Sequence, residues 1–232
     1  VYGISYPSGQ FFSYDLLNRK SKIYKEISPG AKELATLSHF SLKPEAYLSR
    51  SLIMDSKGRV FGSKPVNKLF CFNPSTEKFI IYDSPIPYVW GREVLGMADS
   101  WAISDDGTIY CGNAGDGQLF QLNPENGNTR NLVKPVMMPR MKGITTARDG
   151  KLWGIAGGEP GYSHLFSWDK ENGFRDYGNP EFVMKIENVE KGILWRGFQL
   201  GSITASEDGK YVIMGEEESL SQLMVFPVRK KE

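Results

Sequence analysis

A turn followed by a short strand recurs along this sequence, and this repeat constrains the fold more than any other feature. Each copy has a short apolar run, a turn that ends in glycine, and a second run in which apolar residues alternate. The four turns are Ser56-Lys57-Gly58, Asp105-Asp106-Gly107, Arg148-Asp149-Gly150 and Glu207-Asp208-Gly209. Because glycine accepts the positive φ that tight turns between strands require, each copy predicts a β-hairpin.

A second marker follows each hairpin at a similar distance. Its three clear copies are Leu69-Phe70-Cys71-Phe72-Asn73-Pro74, Leu119-Phe120-Gln121-Leu122-Asn123-Pro124 and Leu165-Phe166-Ser167-Trp168-Asp169, and two weaker copies begin at Phe11 and Leu223. A polar turn and a fourth run come next, most clearly at Lys78-Phe79-Ile80-Ile81-Tyr82. Each unit therefore predicts four short strands, which we call A to D, in roughly 45–50 residues.

Repeated four-stranded units predict an all-β fold of the β-propeller type. A lone sheet of this size buries too little apolar surface to be stable, whereas units arranged radially cover each other's faces. A β-sandwich is the main alternative, because it also has short strands and frequent turns. The same two markers recur in the same order in successive units, and this recurrence favours the propeller.

The sequence predicts a single β-propeller domain over residues 1–232 with incomplete first and last blades. Five units are visible; the first begins at strand B, near Tyr2, and the last ends after strand C. Two such partial units cannot merge, since each already has B and C. We therefore expect about a hundred further residues upstream and a seven-bladed ring, because closed rings leave few exposed strand edges. The alternative is an irregular five-bladed ring.

The strand-to-turn step resembles the propeller repeats of the streptogramin-lyase, SMP-30 and YVTN group. Those repeats carry a Leu-aromatic-x-aromatic-Asp-Pro-x-Thr-Gly step, which Pro124-Glu125-Asn126-Gly127 and Pro74-Ser75-Thr76 match best. The resemblance implies the propeller architecture over most of the chain. Lyases of that group use a histidine on the channel face, but neither histidine of this sequence lies in a Gly-His-x-Thr-Glu context. The resemblance therefore does not imply streptogramin-lyase activity.

Composition and motifs exclude several classes of partner and cofactor. The sequence has 28 Lys and Arg against 27 Asp and Glu, so the net charge of +1 gives no reason to expect nucleic acid. No apolar run is long enough for a membrane span. Cys71 and Cys111 lie in strand-like runs without zinc-ligand spacing, which predicts buried thiols and no metal site. Nucleotide-binding and zinc-hydrolase motifs are missing, so nucleotide cofactors and zinc hydrolysis have no support, and the cofactor stays unknown at this point.

The connections that precede the A strands carry the candidate ligand-binding residues. These D–A connections lie at one end of a propeller, and each of the four contains an arginine, usually near an aromatic residue. Converging arginines bind carboxylates or phosphates, and flat aromatic rings can face a sugar. The candidates are Arg50, Trp90, Arg92, Asp99, Trp101, Arg140, Trp195 and Arg196. The alternative is structural: solvated arginines, tryptophans packed between blades, and an aspartate that caps a turn.

The candidate catalytic residues are His164, Tyr162 and His39. We expect the ring of His164, just before a C strand, to face the channel, where it would act with Tyr162 in proton abstraction. His39 lies in a long insertion without a visible neighbour to set its tautomer. Surface or core roles are the alternative for each. The run Glu216-Glu217-Glu218 predicts a solvated hairpin loop, and a cation site is the alternative.

Two functional hypotheses follow from these residues. In the first, the propeller binds a carbohydrate or anionic ligand, and its enzymatic form is a polysaccharide lyase acting on uronate-containing glycans. In the second, it is a non-catalytic scaffold that binds a protein or a ligand on one face, because the fold does not fix the function. The sequence does not decide whether the protein is an enzyme. A glycan ligand would favour a location outside the cytoplasm.

Overall fold

The computed structural model describes residues 1–6, 8–27, 49, 51–64, 67–92, 96–137, 140–157, 163–185, 187, 192–196, 199–217 and 222–228. All regular secondary structure in these residues is β-strand. The strands are β1 (Tyr2–Ile4), β2 (Gln10–Asp15), β3 (Lys20–Glu26), β4 (Ile53–Met54), β5 (Val60–Lys64), β6 (Lys68–Asn73), β7 (Lys78–Ile81), β8 (Ala98–Ile103), β9 (Ile109–Asn113), β10 (Leu119–Leu122), β11 (Thr129–Val133), β12 (Met141–Thr146), β13 (Leu152–Gly157), β14 (Ser163–Asp169), β15 (Gly173–Asp176), β16 (Glu181–Met184), β17 (Ile193–Arg196), β18 (Leu200–Ala205), β19 (Tyr211–Glu216) and β20 (Leu223–Pro227).

Five antiparallel sheets follow one another along the chain, and they correspond to the predicted units. Blade 1 is β1–β3, blade 2 is β4–β7, blade 3 is β8–β11, blade 4 is β12–β15 and blade 5 is β18–β20. Blades 2 to 4 have all four strands in the order A to D, which confirms the lettering from the sequence. Blade 1 has strands B to D, and blade 5 has strands A to C. The predicted all-β propeller fold is confirmed.

The A strands form the inner layer of the molecule. β12 lies beside β8 on one flank and beside β18 on the other, so the A strands of blades 3, 4 and 5 are neighbours. Hydroxyl groups connect them: Thr146 Oγ1 donates to Ile103 O at 2.9 Å, and Thr145 Oγ1 accepts from Ala205 N at 3.3 Å. These bonds link strands of different blades, whose edges would otherwise carry unpaired backbone groups.

Apolar side chains fill the spaces between successive blades. The cluster between blades 1 and 2 is aromatic and includes Phe11, Phe70 and Phe72, all fully buried. The rings of Phe11 and Phe72 lie 4.9 Å apart, and Tyr24 lies 4.8 Å from Phe72. Three further clusters fill the spaces between blades 2 and 3, 3 and 4, and 4 and 5. Each sheet therefore covers the apolar face of the next.

An Asp or Asn recurs where the C strand of blades 1 to 4 ends, and it has a structural role. In the C–D turns of blades 1 to 4, the side-chain oxygen of this residue accepts the backbone N–H two residues later, at 2.9–3.0 Å. The four residues are Asp15, Asn73, Asn123 and Asp169. Such Asx turns satisfy a backbone donor that the turn leaves unpaired. The marker that resembles other propeller repeats is thus a turn signal and not a site.

Both cysteines are buried and free, as the sequence predicted. Burial raises the pKa of the Cys71 thiol and, more strongly, that of Cys111. A thiol is nucleophilic only as the thiolate, so neither group is suited to covalent catalysis.

The D–A connection between blades 4 and 5 contains a hairpin that the sequence did not predict. β16 and β17 pair as a two-stranded antiparallel hairpin, with Glu181 opposite Arg196.

In the described part of the chain there is no helix with the length and apolar character that crossing a bilayer requires.

The aromatic cluster between blades 1 and 2 generates a stability prediction. Phe72→Ala should lower the free energy of unfolding by roughly 3–5 kcal/mol, because it leaves a cavity among closely packed, buried rings. Urea denaturation followed by circular dichroism measures the change. The control is Leu17→Ala, at a side chain that is 94% exposed, with an expected change within about 0.5 kcal/mol. Equal stability of the two variants would contradict the role of this cluster.

Candidate functional site

The B–C and D–A connections lie together at one end of the propeller, because strands within each blade alternate in direction. We call this end the mouth. Its described parts include the connection at 82–92, the turn at 114–118, residues 216–217 and the first residues of β8, β12 and β18. The A–B and C–D turns lie at the opposite end. Rigid sheets that carry variable loops at one end are a common arrangement for binding sites.

Three neighbouring A strands share the same irregularity where they begin at the mouth. The pairing with the B strand skips one residue between Ala98 and Ser100, between Met141 and Gly143, and between Leu200 and Ser202. The extra residues are Asp99, Lys142 and Gly201. A β-bulge changes the direction of the side chain that it carries, and bulges are frequent at barrel rims and near active sites. The repeat thus places one equivalent position of blades 3, 4 and 5 at the mouth.

Lys142 forms an ion pair across two blades. Its Nζ lies 3.1 Å from Oε2 of Glu217, which follows the B strand of blade 5. The Lys142 side chain is 17% exposed, whereas that of Glu217 is 53% exposed. The cation is therefore sheltered, and the carboxylate is its solvent-facing partner. The sequence did not reveal this ion pair, because the partner of Glu217 lies 75 residues away in the chain.

Trp90 is displayed on a connection that is fastened to blade 3. Its side chain is 91% exposed. The N–H of the preceding residue, Val89, donates to the carboxylate of Asp116 at 2.7 Å, and Asn113 Nδ2 donates to Pro87 O at 3.0 Å. Asp116 and Asn113 are each only 1% exposed. Buried polar groups thus hold the backbone of a loop whose tip presents a large apolar ring to solvent.

Asp99 and Trp101 lie within β8 and not before it as expected: Asp99 is its second residue and Trp101 its fourth. The carbonyl of Asp99 accepts a hydrogen bond from Ser51 Oγ of blade 2 at 2.7 Å. Trp101 packs against the apolar cluster between blades 2 and 3. Its Nε1 and the neighbouring Ser100 Oγ are buried and have no hydrogen-bond partner among the residues that the structure describes.

Arg92 and Arg140 are exposed at the mouth. The N–H of Arg92 donates to Val89 O at 2.9 Å, which closes the turn that carries Trp90. Arg140 immediately precedes β12, and its φ of 69° places it in the left-handed region. Its carbonyl accepts from Gly157 N at 3.1 Å, so the backbone at this point is fixed by the adjacent B strand.

His164 lies within β14, a C strand, and not before it as expected. β14 is the third strand outward from the axis, so His164 does not belong to the inner layer. Its Nδ1 is 2.9 Å from Oδ2 of Asp176, on the outermost strand β15. The carboxylate that orients this ring was not recognised from the sequence, because the two residues become neighbours only when β14 and β15 pair.

Five further candidates fall outside the described residues or the described side chains. His39, Tyr162 and Arg50 lie outside the described residues. Trp195 and Arg196 lie in β17, where the backbone is described but these side chains are not. Among the described residues, no group of three or more His, Cys, Asp or Glu side chains is arranged to hold a metal ion.

Two cavities, of about 650 and 490 Å³, lie at the opposite end, among the A–B turns. Cavity size alone would favour that end as the site. However, the most buried cation of the larger cavity is already paired with two carboxylates: Arg59 Nη2 lies 2.7 Å from Asp55 Oδ2 and 2.8 Å from Glu125 Oε1. The mouth instead combines a sheltered cation, exposed arginines and an exposed indole, so we place the candidate site there.

Comparison with solved structures supports the fold. Virginiamycin B lyase from Staphylococcus aureus is similar with a TM-score of 0.60 and 13% identity over 98% of this chain and 69% of that chain. A gluconolactonase from Xanthomonas campestris has a TM-score of 0.56 and 8% identity over 95% and 66%. An extracellular domain from B. thetaiotaomicron has a TM-score of 0.60 and 14% identity over 94% and 25%.

No family model matches the sequence, and the curated proteins contain no significant match. At identities this low, the structural likeness shows the fold alone. The resemblance of the repeats to the streptogramin-lyase and SMP-30 propeller group is confirmed at that level.

The buried anchor of the Trp90 loop generates a prediction about local stability. Asp116→Ala removes the acceptor of the Val89 N–H, so the amide of Val89 should exchange with deuterium faster, by roughly tenfold or more. Hydrogen exchange followed by mass spectrometry measures the effect. Asp83→Ala, at an exposed carboxylate of the same connection, serves as the control and should leave the exchange unchanged. Unchanged exchange in Asp116→Ala would refute the anchor.

Proposed function

We propose that this protein binds an acidic carbohydrate at the mouth of the propeller. The observation that carries the proposal is Trp90, a 91% exposed indole on a loop held by two buried polar side chains. Exposing a ring of this size forgoes the stability that its burial would add, which is roughly 2–3 kcal/mol for a large apolar side chain. A ligand that covers the indole recovers this free energy on binding.

The fixed conformation of the Trp90 loop favours ligand binding as much as the exposure of the indole does. Ordering a loop upon binding costs free energy, and this cost reduces affinity. The hydrogen bonds of Asp116 and Asn113 already order the loop in the folded protein, so the ligand does not have to order it. A pre-ordered aromatic ring is suited to a flat apolar partner, and the less polar face of a sugar ring has this character. A short oligosaccharide would also extend from Trp90 towards the other groups at the mouth.

The charges at the mouth favour an anionic ligand over a neutral one. Arg92, Arg140 and Lys142 come from two successive D–A connections and the strand that follows them. Guanidinium groups bind carboxylates through paired hydrogen bonds, and an ammonium group binds them as a point charge. Uronic acids combine a sugar ring with a carboxylate, so a uronate-containing glycan satisfies both features.

The His164–Asp176 pair supports a second candidate, lyase chemistry on the same class of glycan. An acid residue that fixes one ring nitrogen leaves the other free to act as a base. In a lyase step, the base removes the proton next to the carboxyl carbon of a uronate. The electron pair forms the C4–C5 double bond, the C4–O glycosidic bond breaks, and the departing oxygen takes a proton from water or an acid.

Two enzymes and the extracellular domain of a one-component system are similar to this chain in fold, so the fold does not choose between catalysis and simple binding. The scaffold hypothesis therefore remains the alternative to the lyase. In the scaffold case the glycan would bind and stay intact.

Substitution at Trp90 tests the binding proposal. Trp90→Ala should weaken binding of trigalacturonate by at least about tenfold, equivalent to about 1.4 kcal/mol, because the sugar loses its apolar platform. Isothermal titration calorimetry measures the dissociation constant. Leu17→Ala provides the control, because Leu17 is similarly exposed but lies in a C–D turn at the opposite end. Equal affinity of the wild type and Trp90→Ala would remove the proposal as framed.

Substitution at His164 separates the lyase from the scaffold. If the protein is a lyase, His164→Asn should lower kcat on polygalacturonate at least a hundredfold, because proton abstraction loses its base. The ultraviolet absorbance of the unsaturated uronate product follows the reaction. His164→Asn should leave trigalacturonate affinity within about twofold. A wild-type protein that binds the glycan but forms no product would support the scaffold.

A further inference from the structure

We infer that Glu217 occupies the position of the ligand's acidic group and is displaced when an acidic glycan binds. Glu217 thereby acts as a built-in competitor that keeps the sheltered Lys142 paired when no ligand is present. The inference rests on the proposed function, because it concerns what the mouth binds and how tightly.

The geometry of the pair supports displacement. Lys142 belongs to the inner strand β12, and its ammonium group is reached by Glu217 from the next blade at 3.1 Å. The backbone of Glu217 is held in place, since its N–H donates to Gln199 O at 2.8 Å. Only side-chain torsions therefore need to change for the carboxylate to leave. The half-exposed carboxylate can move directly into solvent.

A glycine creates the place that the Glu217 side chain occupies. Gly201 is the bulge residue of β18, equivalent to Lys142 in β12 and Asp99 in β8. A Cβ at Gly201 would clash with Cγ, Cδ and Oε1 of Glu217. The bulge position of blade 5 thus has no side chain of its own, and a carboxylate from the adjoining B–C connection fills the slot. A ligand carboxylate could occupy the same slot with the same cation.

The strength of the pair also suits a competitor. Ion pairs with a solvent-exposed partner contribute little to stability, so they are readily exchanged. A ligand that brings a carboxylate together with contacts to Trp90 would win this competition, whereas a neutral sugar would leave the pair intact. Glu217 would then set the selectivity of the mouth for charge. If Glu217 instead served to orient Lys142 for the ligand, its removal would weaken binding.

Calorimetric titration with trigalacturonate at low ionic strength tests the inference. Glu217→Gln keeps the side-chain shape and removes the charge, and we expect two- to fivefold tighter binding. Glu216→Gln is the matched control, because it removes the same charge one residue away; its affinity should stay close to that of the wild type. Lys142→Met should bind at least tenfold more weakly, and adding Glu217→Gln to it should restore nothing.

Each outcome separates the inference from the proposal beneath it. If the wild type binds and Glu217→Gln binds equally or more weakly, the competitor role is wrong while the binding site stands. The same conclusion follows if Glu216→Gln gives the same gain, because the effect would then be one of net charge. Binding by Glu217→Gln alone would support the inference, and binding by neither protein would overturn both. Circular dichroism melting of each variant verifies that the fold is retained.

Discussion

The structure depends on the contact between successive sheets. A four-stranded sheet has two faces and cannot cover either one by itself, so every blade relies on its neighbours to remove apolar side chains from water. Four apolar clusters meet this need between the five blades. Hydroxyl groups of the inner strands, such as Thr145 and Thr146, then connect the blades where backbone pairing is unavailable. Turns and loops can vary because they are not needed to cover these faces.

Because the sheets alone cover the apolar faces, the mouth can carry irregular strand pairing and an exposed aromatic ring. The bulges at Asp99, Lys142 and Gly201 interrupt the pairing at the very start of three A strands, where the rest of each ladder remains intact. The exposed indole of Trp90 is maintained in the same way, on a loop that Asp116 and Asn113 fasten to a complete blade. A site built on such a frame is ordered before its ligand arrives, which lowers the entropic cost of binding.

The candidate site was predictable in part. Residues such as Trp90 and Arg92 could be placed at the mouth because the strand lettering assigns every D–A connection to one end, and that assignment needs only local turn signals. Their partners could not be identified in the same way. Glu217 reaches Lys142 and Asp176 reaches His164 through pairings between strands or blades, and no local pattern reports such contacts. The β16–β17 hairpin was missed for a related reason, since its two strands carry no glycine turn of the repeating type.

The sequence by itself determined the repeating unit, its strand order, the turns and the buried cysteines, because these follow from short-range preferences: alternating apolar residues, Asx turns and glycines with positive φ. The tertiary structure alone decided which charges meet, which tryptophan is packed and which is displayed, and where the chain departs from regular pairing. Trp101 and Trp90 look alike in the sequence, yet one packs between blades and the other faces solvent. The physical reason is that burial and ion pairing depend on neighbours far away in the chain, which only the packing of one blade on the next brings together.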